Sequence, residues 1–162
     1  MKEFIEQVTE NQKQILYKSN DIINLYSDYQ HIEIFDTPDM GRVLALDNAI
    51  QITEKDEYFY SEFMTHIPIN SLKNVNKVLI LGGGDWTLQR EIVKYKNIKQ
   101  IDFIDIDKKV VDLCEKYFSH ILNEVYNDKR VNFICDDAYN FLDYTNESYD
   151  VIIVDRPDPR GV

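Results

Sequence analysis

The chain has 162 residues, with 18 Lys plus Arg against 29 Asp plus Glu, a net charge of −11. Its 44% apolar and 12% aromatic content can build a core, and five glycines with four prolines exclude a collagen-like or low-complexity chain. So acidic a balance disfavours nucleic acid or an anionic membrane as partner and suits a cationic small molecule.

The elements follow in chain order. Phe4, Ile5 and Val8 fall on one helical face, which predicts a short helix over residues 2–13. Ile15–Lys18 and Ile22–Tyr26 read as strands. His31-Ile32-Glu33-Ile34-Phe35 alternates polar and apolar, the pattern of a half-buried strand. A turn over Asp36–Gly41 follows, then strands Arg42–Leu46 and Ile50–Thr53 around Asp47-Asn48. Residues 14–53 are thus expected to form a small antiparallel sheet. Asp56–Thr65 reads as a helix whose acidic first turn suits the helix dipole.

The texture changes at Ser71-Leu72-Lys73-Asn74, which predicts two domains, 1–70 and 71–162. Residues 1–70 carry 5 basic and 13 acidic side chains; residues 71–162 carry 13 and 16. In the second part strand and helix alternate. Val78–Leu81 is a continuous apolar run, as in a strand buried on both faces. A helical stretch then runs to about Tyr95. Ile101–Ile106, Val131–Cys135 and Val151–Val154 are further strands, with a helix over Lys108–Phe118. This alternation implies a parallel sheet. The two cysteines, Cys114 and Cys135, lack zinc-ligand spacing and are expected to be buried, reduced thiols. The start Met1-Lys2-Glu3-Phe4-Ile5-Glu6 does not have the pattern of a signal peptide, so a cytoplasmic setting is expected.

The chemistry concentrates where strands end. Gly82-Gly83-Gly84-Asp85 after a buried strand lets the backbone approach a ligand closely. Asp85 sits where a phosphate cradle wants no negative charge, which points to a ligand without phosphates. Asp105, ending the second strand, is placed to accept the two hydroxyls of a ribose. Asp137, ending the third, can accept a hydrogen bond from an adenine amine. Together these describe a nucleoside pocket. Asp155-Arg156-Pro157-Asp158-Pro159 adds two carboxylates beside it, stiffened by proline and suited to grip and deprotonate an amine.

In these residues the chain resembles the polyamine aminopropyltransferases, with spermidine synthase as the type. The resemblance covers residues 27–162. It rests on Phe35-Asp36-Thr37-Pro38, Gly41–Asp47, Gln51-Ile52-Thr53, Asp56–Glu62, Thr65-His66-Ile67-Pro68, Leu81–Asp85, Arg90-Glu91, Asp105-Ile106-Asp107, Asp137-Ala138 and Asp155–Pro159, in that order. It implies an α/β fold: a small N-terminal antiparallel β domain, then a partial Rossmann-like, methyltransferase-type parallel sheet with flanking helices. It implies aminopropyl transfer from decarboxylated S-adenosylmethionine to a diamine (putrescine to spermidine), releasing 5′-methylthioadenosine. Neither a metal nor any further cofactor is implied, because the sulfonium is already a good leaving group. Asp155 is then the base, assisted by Tyr60. Asp158 and Glu62 hold the amine or line its pocket, and Asp85 holds the aminopropyl end. Gln51 contacts the donor, Asp105 the ribose and Asp137 the adenine; Gly82, Gly83 and Gly84 form the glycine loop. A homodimer or homotetramer is the family's habit. A non-catalytic nucleoside- or polyamine-binding relative, and a methyltransferase using intact S-adenosylmethionine, are the alternatives.

The chain departs from the family pattern at several points. Two glycines usual after Gly-Gly-Gly-Asp are Trp86 and Thr87, so an indole is expected in or near the donor site. Ser61 replaces His or Gln, with loss of a polar contact to the donor. Arg156 beside Asp155 is expected to lower that acid's pKa and weaken it as a base. Asn48 replaces glycine mildly, since Asn tolerates the left-handed conformation. The family's catalytic domain continues beyond this loop. The expectation is therefore the N-terminal part of a longer protein, inactive alone, or a short relative whose open sheet edge a partner covers.

Overall fold

A computed structural model describes residues 2–156. The backbone divides into two compact units, Met1–Phe59 and Tyr60–Val162.

The first unit is all β until its last residues. Strands β1 (Lys2–Thr9) and β2 (Gln12–Lys18) form an antiparallel hairpin pairing Phe4 with Leu16 and Ile5 with Ile15. The helix expected over residues 2–13 is therefore absent. One helical turn of apolar matches is a weak signal, and tertiary burial overrides it. Phe4 instead packs with Phe35, Val43 and Ala45. Strands β3 (Asn20–Tyr26), β4 (His31–Thr37), β5 (Gly41–Leu46) and β6 (Ala49–Thr53) form a separate four-stranded antiparallel sheet in sequential order. Asp47 and Asn48 both have positive φ, as the tight β5–β6 turn requires.

Strand β4 is buried on both faces rather than one, because Glu33 is buried as well as its apolar neighbours. Lys18 makes this possible. Its Nζ lies 2.5 Å from Glu33 Oε2 and 4.5 Å from the Phe35 ring centroid. A buried charge is tolerable when paired in this way.

Helix α1 (Glu57–Asn70) runs across the division between the units. It is longer than expected and includes Pro68 in its last turn. Buried Ile69 anchors its end, and the Ser71 hydroxyl donates to the Pro68 carbonyl at 2.7 Å.

The second unit carries a four-stranded parallel sheet. Its strands are β7 (Lys77–Gly82), β8 (Gln100–Asp105), β9 (Val131–Cys135) and β10 (Val151–Asp155), in the order β10-β7-β8-β9. Connecting them are α2 (Thr87–Ile92), α3 (Lys108–Tyr117), α4 (Ser119–Leu122) and α5 (Ala138–Tyr144). Helix α5 was not anticipated; its Phe141 completes a cluster with Leu79, Leu81 and Ile104. Two β-strands share a starting clamp, since Asp150 Oδ2 accepts from Asn76 N and Lys77 N at 2.7 and 2.9 Å. Strand β10 is an edge of the described sheet, with Ile152 and Val154 52% and 56% exposed on one face. Cys114 is buried as expected, but Cys135 is exposed. No helix among the described residues is long and apolar enough to cross a membrane.

Candidate active site

Parallel pairing brings the carboxyl ends of the strands to one edge of the second unit. Gly82 pairs with Asp155, Leu81 with Ile104, and Asp105 with Cys135. The glycine loop lies between Asp155 on one side and Asp105 on the other. At Gly82, with φ +96°, a Cβ would stand 1.8 Å from the Asp155 carbonyl oxygen. At Gly84 it would stand 2.6 Å from Asp105 Oδ2. Only glycine lets the chain pass this closely.

Asp105 is held from both sides. Gly84 N donates to its Oδ2 at 3.0 Å and Asp107 N to its Oδ1 at 2.9 Å. Burial pushes its carboxyl up to about 6, against the pull of those two backbone bonds, with the charges of Asp107 and Asp85 adding to the rise. Across the loop, the Tyr60 hydroxyl on α1 donates to Asp155 Oδ1 at 2.6 Å. Burial raises the Asp155 carboxyl above its ordinary value, Tyr60's bond opposes the rise, and the charge of Asp105 adds to it.

Arg156 does not lower Asp155 as expected. Its guanidinium carbon sits 5.1 Å from the centre of the Tyr139 ring, a cation–π contact, and the influences on Asp155 are burial, Tyr60 and Asp105. Trp86 does not occupy open space beside the loop either. It is 6% exposed, its ring meets Phe103 and Tyr126 edge-on, and its Nε1 donates to the Val111 carbonyl at 3.3 Å. The indole is a core residue, although its backbone has φ +71°.

The other predicted residues are placed as follows. Asp85 is half-buried, and its Oδ1 accepts from the backbone N and hydroxyl of Thr87 at 2.9 and 2.8 Å, tying the loop to α2. Asp137 caps α5, accepting from Tyr139 N at 2.7 Å. Glu62 is exposed on α1. At about 100° per residue it flanks the buried stripe of Ser61, Thr65 and Ile69 on the side opposite Tyr60. Gln51 belongs to β6 of the first unit, is exposed, and donates to its neighbour Ala49's carbonyl at 3.1 Å. Asp158 lies outside the described residues.

Ser61 is fully buried and accepts from Arg90 Nη2 at 3.1 Å, so it belongs to the interior of the unit. Arg90 Nε also donates to Glu91 Oε1 at 3.0 Å, and its Nη1 to the Ile121 carbonyl at 3.2 Å. Glu91 in turn meets Lys94 and His66, and His66 Nδ1 meets the Tyr95 hydroxyl at 2.7 Å. Burial works against Glu91's charge, but Lys94 and Arg90 together hold its carboxyl below the ordinary value. This network fastens α1 to α2. The sequence motif contained Arg90 and Glu91 without indicating that role. Gln89 was missed altogether: it is fully buried, with its Nε2 donating to the Gly83 carbonyl at 2.8 Å.

Comparison with other proteins decides the family. Residues 57–162 match the family model of the spermine/spermidine synthase domain, and residues 5–54 match the spermidine synthase tetramerisation domain. The chain belongs to the spermidine synthase, or polyamine aminopropyltransferase, family. It is 44% identical over 149 residues to a polyamine aminopropyltransferase of Methanocaldococcus jannaschii, covering 92% of this chain and 48% of that one. It is likewise 44% identical over 135 residues to one of Yersinia pestis, covering 83% and 46%. A crystal structure of a spermidine synthase in complex with the transition-state analogue AdoDATO superposes with a TM-score of 0.93 at 32% identity, covering 98% of this chain and 54% of that one. The spermidine synthase from Thermotoga maritima gives 0.90 at 31%, covering 94% and 54%. The chain spans about half the length of these relatives. Its N-terminal antiparallel sheets and following parallel sheet are the architecture of this family.

Proposed function

We propose that this protein transfers an aminopropyl group from decarboxylated S-adenosylmethionine to putrescine, giving spermidine and 5′-methylthioadenosine. The observation that carries the reading is the Tyr60–Asp155 pair, 2.6 Å apart, beside a glycine loop whose other side is Asp105. Family membership supports the same reading.

An aliphatic amine has a pKa of about 10.4 and arrives protonated, so it cannot attack until a base removes the proton. Asp155 takes that proton. A carboxyl raised above its ordinary value is a stronger base than a free aspartate, which helps it do so. The freed lone pair attacks the carbon next to the sulfonium. The new C–N bond forms as the C–S bond breaks, and its electron pair leaves on sulfur as the neutral thioether. Tyr60 orients the carboxylate. Asp105 accepts the ribose hydroxyls, Asp137 the adenine amine, and Asp85 the donor's ammonium end. Glu62 and Asp158 line the amine's side. Holding the two reactants in line supplies much of the remaining rate. The net charge of −11 suits two cationic substrates. We place the reaction in the cytoplasm and in a homo-oligomer, dimer or tetramer, assembled through the N-terminal sheets.

The test is an assay of the full-length protein with decarboxylated S-adenosylmethionine and putrescine. Spermidine and methylthioadenosine in equal amounts support the reading. Methyl transfer from intact S-adenosylmethionine, or binding of both substrates without turnover, overturns it.

A further inference from the structure

The glycine loop must hold a shape that no glycine enforces by itself. Gly82 and Gly83 both have positive φ, 96° and 77°, a region glycine enters and leaves freely. Something else fixes the peptide between them and Gly84. The Gly83 carbonyl receives two donors: Trp86 N at 3.1 Å and Gln89 Nε2 at 2.8 Å. Both of its lone pairs are thereby engaged.

Gln89 makes this bond under unusual conditions. It is fully buried, and among the described residues its amide oxygen has no donor. An unsatisfied buried oxygen is a cost, and the bond donated by the same amide's N–H offsets it. The amide cannot turn over, because the flipped form would face oxygen against the Gly83 carbonyl oxygen.

The pinned peptide has acids on both sides. A Cβ on Gly83 would lie 3.8 Å from Asp155 Oδ2, and the next residue, Gly84, donates its N–H to Asp105. Any rotation of the Gly83 peptide moves the link between these two carboxylates.

We infer that Gln89 is a positioning residue: by donating to the Gly83 carbonyl it fixes the peptide that sets Asp105 and Asp155 apart across the glycine loop. The inference rests on the reading of this edge as the donor site. It adds a residue that touches no substrate and acts through the loop backbone.

The test compares the full-length protein with its Gln89→Met variant, which keeps the length of the side chain and removes the donor. Amide hydrogen exchange is followed by NMR at Gly84 and Trp86, with Phe133 in β9 as reference, and binding of 5′-methylthioadenosine is measured by calorimetry. Losing one hydrogen bond predicts about tenfold faster exchange at Gly84 and Trp86 and an unchanged rate at Phe133. Nucleoside affinity falls by about the same factor. Uniformly faster exchange, or no local change, overturns the inference. If the unsubstituted full-length protein binds no nucleoside, the donor-site reading fails, while the exchange pattern still decides whether Gln89 holds the loop. Should Gln89→Met not fold, Gln89→Glu keeps the volume. Relative to the unsubstituted chain, its carboxylate leaves Gly84 and Trp86 unprotected at pH 9, and protonation restores protection at pH 5. Protection that does not respond to pH overturns the inference.

Discussion

The hydroxyl of Tyr60 lies 2.6 Å from Oδ1 of Asp155, a residue 95 positions later in the chain. One comes from a helix and the other from the last residue of a strand. Their meeting opposes the effect of burial on the group proposed to take the substrate's proton. The bond stabilises the ionised carboxylate against burial and against the charge of Asp105. Tyr60→Phe removes that stabilisation together with the bond that orients the carboxylate. The Asp155 carboxyl then rises further, so the acid limb of the pH–rate profile moves to higher pH. Loss of the orienting bond to a charged group corresponds to a fall of about 10- to 100-fold in turnover. A profile of the full-length variant with an unmoved acid limb would contradict this role.

Asp105 gives a pH dependence of stability that needs no substrate. Its carboxyl is raised from 3.8 to about 6 in the folded chain. A raised group favours the folded state when protonated. That contribution is fully present below about 3.8 and is lost as the pH rises through about 6. Asp105→Asn removes the dependence. The stability of the variant relative to the parent should therefore improve as the pH goes from 4 to 7.5. Urea unfolding at the two pH values reads the difference, and a difference of the opposite sign would refute the assignment.

Trp86 combines a strained backbone with a packed side chain. A left-handed conformation costs a non-glycine residue about 1–2 kcal/mol, and removing a buried Trp side chain costs about 3–5 kcal/mol. Packing wins, so Trp86→Gly should destabilise the second unit by about 1–4 kcal/mol in chemical unfolding. As the single tryptophan, Trp86 also gives the folded chain the blue-shifted emission of a buried indole. A more stable glycine variant would mean that the strain outweighs the burial.

Ser61 separates a structural role from a ligand-binding one. Its hydroxyl is buried and accepts from Arg90. Ser61→Ala should lower stability by about 1–2 kcal/mol, because the buried Arg90 guanidinium loses one of its acceptors. Methylthioadenosine affinity should change less than twofold. A large loss of affinity at constant stability would put Ser61 in the donor site instead.

Much of this was legible in the sequence. Buried parallel strands announce themselves as apolar runs, and Gly82–Gly84 and Asp105 sit at their ends because the chain must turn there. The N-terminal hairpin was not legible. Phe4 has a strand's burial, but over so short a segment its neighbours fit a helical face equally well. The sequence places an indole at the donor site, a lost donor contact at Ser61 and a cation beside Asp155, because sequence gives no rotamer. Each turns to a partner elsewhere: Trp86 to Phe103 and Tyr126, Ser61 to Arg90, Arg156 to Tyr139. Gln89 escaped notice for a related reason, since nothing local marks a glutamine that bonds a carbonyl six residues back.

The most direct measurement is made on the full-length protein carrying Asp155→Asn. Asparagine keeps the shape of the carboxylate and cannot take the amine's proton. The account predicts donor affinity within about threefold of the parent and turnover down by about 10²–10⁴-fold, the range of a lost general base. Normal turnover in that variant would contradict the assignment of the base and the mechanism built on it.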